Sequence, residues 1–60
     1  MSALQARLER FEILAAECEL LASRAEDGSN RELYRRLGAR YRELATDMRT
    51  VIATVDAVAA

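Results

Sequence analysis

Between Leu33 and Val58, apolar residues recur at Tyr34, Leu37, Tyr41, Leu44, Met48, Val51, Val55 and Val58. These are alternating steps of three and four held for four heptads. Such a period fits an α-helix that buries one seam and fits no strand, whose apolar positions would alternate every second residue. The stretch predicts a helix over about 31–58 and requires a partner for its seam.

The partner lies upstream. Leu4, Leu8, Phe11, Ala15, Cys18, Ala22 and Ala25 repeat at the same steps of four and three, predicting a helix over about 3–26. Ser2 and Gln5 have the spacing of a capping box at its start, as Ser29 and Glu32 do for the second helix. Gly28 is the expected left-handed residue closing the first helix. The turn then spans about 27–30, and so short a connection makes the helices antiparallel neighbours. Residues 1–60 thus read as one all-α domain, an antiparallel two-helix hairpin with coiled-coil-like packing. The two rhythms also predict a register: Ala22 with Leu37, Cys18 with Tyr41, Ala15 with Leu44, Phe11 with Met48, Leu8 with Val51, Leu4 with Val55 and Met1 with Val58.

Such a hairpin is short of core. A chain of 60 residues buries only about 60% of its unfolded surface, and domains of that size need reinforcement. One cysteine and no histidine rule out an internal disulfide and remove the usual metal ligands. Self-association is the remaining route, and residues outside the seam point the same way. Leu14, Leu21 and Leu33 lie on one flank, Ile13 and Leu20 nearly opposite the seam of the first helix, and Gly38, Ala45, Ile52 and Ala59 on a small-residue flank where another backbone can approach. Two hairpins related by a two-fold axis would form a dimeric four-helix bundle. The expected oligomer or partner interface is therefore Ile13, Leu14, Leu20, Leu21, Leu33, Ala45 and Ile52.

Charge is divided between the halves. Residues 1–27 carry three Arg against six acids, and residues 31–60 carry six Arg against four. Glu12, Glu19 and Glu26 repeat every seven residues, as do Arg35, Arg42 and Arg49, so the arginines are expected to reach over Gly38 and Ala45 to the carboxylates. The alternative use of the basic residues is nucleic-acid contact by the Arg31–Arg42 cluster, with Arg31, Arg35, Arg36 and Arg40 on phosphates. An isoelectric point near 5.3 counts against it.

Nothing in the chain assembles a catalytic, cofactor or metal site. Bundle metal sites use inward Glu with Glu-x-x-His, and here the Glu residues stand beside or outside the seams. Cys18, at a seam position with no histidine to activate it, reads as packing. Val51–Ala60 is too short for a membrane span, which needs about 20 apolar residues. No signal-peptide pattern opens the chain, so a cytoplasmic location is expected.

The run Ala16-Glu17-Cys18-Glu19-Leu20-Leu21-Ala22, with Arg24-Ala25-Glu26-Asp27, Glu32-Leu33-Tyr34-Arg35-Arg36-Leu37 and Tyr41-Arg42-Glu43-Leu44-Ala45, resembles a group of short bacterial hypothetical proteins. These share an A-x-E-C-x-x-L-A stretch, an acidic turn and a second helix of E-L-x-x-x-L type. The resemblance, over about residues 11–45, implies a helical hairpin and brings no activity or site residue with it. The expectation is a non-enzymatic, cofactor-free hairpin that binds itself, or another protein, as an interaction or structural module.

Overall fold

The computed structural model describes residues 2–59, apart from the side chain of Ala59. Among them are two helices, α1 (Ala3–Arg24) and α2 (Gly28–Ala59), packed against each other as an antiparallel hairpin. Met1, expected opposite Val58, lies outside the described residues.

The start of α1 follows its sequence signal. The Ser2 hydroxyl accepts from the Gln5 N–H at 3.1 Å, and the Gln5 side chain accepts from the Ser2 N–H at 3.3 Å, closing the capping box. The turn is built differently from expectation. Helix α1 stops at Arg24, and α2 begins at Gly28, which has no positive φ. The cause is Asp27: its carboxylate accepts from the Ser29 N–H at 3.1 Å and its carbonyl from the Arg31 N–H at 3.0 Å. An aspartate satisfies these otherwise unpaired first-turn donors and favours the positive end of the helix dipole. It thereby takes the capping role assigned to Ser29 and draws Gly28 into the first turn. Across the turn, Arg31 Nη2 donates to the Ala25 carbonyl at 2.9 Å, so a residue of α2 caps the end of α1.

The seam of α2 is the main correction. Gly38 and Ala45 are buried, and Tyr34, Tyr41, Met48 and Ile52 are half-buried. Leu37, Leu44 and Val51 are instead 41, 37 and 45% exposed, and Val55 and Val58 lie open as well. The heptad keeps Tyr34, Tyr41 and Met48 but exchanges Leu37, Leu44 and Val51 for the residue following each, Gly38, Ala45 and Ile52. The reason is the opposing surface. In α1 the buried residues are Ala15, Cys18 and Ala22, all small, and small residues on both sides let the two backbones come close. A Cβ placed on Gly38 would lie 3.4 Å from Cys18 Cβ and 3.6 Å from the Ala15 carbonyl oxygen. Leucines at the centre of that contact would hold the helices apart, so they stand at its edge.

The register moves with the seam. Cys18 lies against Gly38, and Tyr41 stacks on Phe11 with ring centroids 6.5 Å apart and planes inclined by 26°. Such an offset pair contributes about 0.5–1.5 kcal/mol beyond its buried area.

The molecule measures 49 × 17 × 11 Å, one helix thick. Its radius of gyration, 14.2 Å, exceeds the roughly 10 Å of a compact chain of this length. Helix α2 has 32 residues against 22 in α1, and with Cys18 against Gly38 Ala3 comes level with Ala53, so residues 54–59 run past the start of α1.

Candidate interaction surface

A hairpin one layer thick has two broad faces, and here they differ in chemistry. On one, Arg42 grips Glu19 with two hydrogen bonds, Nε to Oε2 at 3.0 Å and Nη2 to Oε1 at 2.8 Å. One step further from the turn, Arg49 Nη2 meets Glu12 Oε2 at 2.7 Å. These are the two rungs expected from the sevenfold spacing. The third, Glu26 with Arg35, is not closed. Arg35 instead borders a shallow hollow with Arg31, Ala39, Glu19, Ala22 and Ser23. The hydrogen bonds from Arg42 hold the Glu19 carboxyl below the usual carboxylate range, and the same bonds push Arg42 up. All four side chains are roughly half exposed or somewhat less, so each pair stabilises modestly while selecting one alignment of the helices.

The opposite face is apolar. Helical spacing puts Leu14 and Leu21 of α1 on the flank away from the glutamates, and Leu33, Leu37, Leu44, Val51 and Val55 of α2 on the flank away from the ladder arginines. Leu14 is half-buried, whereas Leu21 and Leu33 are 45 and 46% exposed. Together they form a strip along one side of the hairpin. Ile13 and Leu20 are exposed too, but they lie on the back of α1 and do not join it.

Two expected interface residues lie elsewhere. Ala45 has no exposed surface, because it is enclosed between α1 and α2, and Ile52 is half-buried in the same seam. The small-residue flank does admit a second backbone, and that backbone is α1. Leu37, Leu44, Val51 and Val55, expected in the seam, stand on the surface instead. The signal was nonetheless present: arginines at 42 and 49 can reach the glutamates only if the seam runs through Gly38 and Ala45.

The arginine cluster does not form one surface. Arg31 is engaged by the Ala25 carbonyl and Arg42 by Glu19, while Arg31 and Arg35 share the ladder flank. Arg36 and Arg40 stand one turn apart on the outer side of α2. Among the described residues no polar or charged side chain is buried, and no group of three or more His, Cys, Asp or Glu side chains converges as a metal site would require. Among them, too, no helix is long and apolar enough to cross a membrane.

Fold and surface together define a bare antiparallel helical hairpin with one salt-bridged face and one apolar face. Comparison with protein-family models, with curated proteins and with solved structures gives no match for this chain.

Proposed function

We propose that this chain is a non-enzymatic, self-associating hairpin that serves as an interaction or structural module, its apolar strip closing against a second copy in a dimeric four-helix bundle. The observation that carries this reading is the imbalance between what the hairpin buries and what it leaves open. Among the described residues the buried core is Ala15, Cys18, Ala22 and Ala45, with no large side chain fully enclosed, while nine large aliphatic residues stand exposed, six of them (Leu21, Leu33, Leu37, Leu44, Val51 and Val55) along the strip. Full burial of one such side chain is worth about 1.5–3 kcal/mol. Completing the burial of the strip would therefore add several kcal/mol, about the net stability of a small domain.

Surface area supports the same reading. A compact monomer of 6.7 kDa exposes about 3,900 Å², and this chain exposes 4651 Å². The excess is close to the roughly 800 Å² that each partner contributes to an ordinary stable interface.

The test is solution mass by light scattering across a concentration series, free of nucleic acid, with helicity measured on the same samples. A mass of twice the chain or more is expected, persisting at high salt because apolar contact is not screened. Val51→Glu and Leu21→Glu, one on each helix of the strip, should both shift the mass toward the monomer. A fully helical monomer at the highest concentration overturns the proposal. If instead the chain stays monomeric alone but binds an added nucleic acid in a way that vanishes between low and moderate salt, the arginines contact phosphates.

A further inference from the structure

Self-association of the strip leaves open which helices meet and in which direction, and the exposed aliphatics of α2 bear on both, because their spacing is symmetric. Leu37 and Val51 each stand seven residues from Leu44, and Leu33 and Val55 each stand eleven from it. Leu44 also falls at the midpoint of Gly28–Ala59. We infer that the partner is a second copy whose α2 runs antiparallel to the first, with the two-fold axis passing beside Leu44. Leu44 then meets Leu44 of the second copy, Leu37 meets its Val51, and Leu33 meets its Val55.

Charge agrees with this direction. Arg40 and Asp47 lie along the outer edge of the strip, both exposed and in no ion pair among the described residues. About the same axis, Arg40 comes within one residue, about 1.5 Å, of the level of Asp47 of the second copy, once on each side. A parallel, in-register pairing would set Arg40 against Arg40 and Asp47 against Asp47, which repel.

Length agrees as well. The end of α2 that runs past α1, residues 54–59, includes Val55 and Val58, 48 and 83% exposed. In the antiparallel pair the two α2 helices overlap from end to end, and the projecting segment of each lies over the turn end of the other. With both turns at the same end, α2 would face the shorter α1 of the second copy, and both projections would stay uncovered. Carried across the hairpin through the contact of Gly38 with Cys18, the same axis places Leu21 over Ala3 of the second copy, a large residue over a small one.

This inference rests on the proposed self-association, and single-cysteine cross-linking separates the two. In a Cys18→Ala background, Leu44→Cys, Leu37→Cys and Val51→Cys are made one at a time and treated with a short bis-maleimide, with solution mass and helicity followed in parallel. Leu44→Cys should yield covalent dimer by itself. Leu37→Cys and Val51→Cys should yield it only when mixed, because two copies of residue 37 lie fourteen residues apart along the axis, about 21 Å. Efficient linking of Leu37→Cys to itself, or no linking in the mixture although the mass is dimeric, overturns the antiparallel arrangement and leaves self-association standing. Monomeric mass in folded samples of all three and of the unmodified chain overturns both.

Discussion

Gly38 sits where the two helices come closest, and its neighbourhood decides what a side chain there would do. A methyl group would meet Cys18 Cβ at 3.4 Å and Glu19 Cγ at 3.6 Å, both ordinary contacts. Glycine within a helix costs about 0.8–1 kcal/mol relative to alanine. Gly38→Ala is therefore expected to stabilise the hairpin by roughly 0.5–1 kcal/mol, whereas Gly38→Leu should destabilise it by about 1–3 kcal/mol because the seam has no room for an isobutyl group. Thermal or urea unfolding of the two variants checks both signs, and stabilisation by leucine would mean that the seam runs elsewhere. The same residue shows where reading the sequence stopped short. Leu37 and Gly38 both continue a heptad through Tyr34 and Tyr41, and hydrophobicity alone prefers leucine. What decides for glycine is the smallness of Ala15, Cys18 and Ala22 opposite, a property of the pair of helices that neither helix states alone.

Elements were more legible than contacts. Both helices, their antiparallel order and the box closed by Ser2 and Gln5 follow from periodicity and capping chemistry, which are local. The turn was harder, because Asp27 and Ser29 are both good caps and only the path of the chain chooses between them. The ladder joining α1 to α2 also followed from spacing, and it has a pH signature. Glu19 binds its proton less tightly in the hairpin than in the unfolded chain, because the Arg42 hydrogen bonds favour the carboxylate. The unfolded chain is thus the first to take up that proton as the solution is acidified, so stability falls with pH. The contribution is complete above the ordinary carboxylate range, near pH 4–5, and is lost as pH drops through the lowered value of Glu19. Glu19→Gln should flatten that part of the curve of melting temperature against pH while leaving neutral-pH stability only slightly reduced. An unchanged acid limb would show that the Arg42 bond does not persist in solution.

At the scale of the whole molecule, the apolar strip was only half legible. Leu14, Leu21 and Leu33 fall outside either version of the seam and were recognisable as surplus. Leu37, Leu44, Val51 and Val55 became surface only once the seam had settled on Gly38 and Ala45. Their exposure gives the hairpin a side that is as apolar as an interior, on a body too thin to have one.

Cys18 adds a clock to this arrangement. Its thiol is held between the helices at 9% exposure and forms no disulfide, so a thiol reagent reaches it only when α1 and α2 part. The labelling rate, divided by that of the denatured chain, counts the fraction of time the hairpin spends open, each tenfold of protection reading about 1.4 kcal/mol. If parting also requires release of a second copy, the clock slows as the protein is concentrated. A rate independent of concentration would say that the hairpin opens alone, and a rate equal to that of the denatured chain would say that the seam does not close over the thiol at all. The one cysteine of the chain thus times, without any added label, how long its two helices stay together.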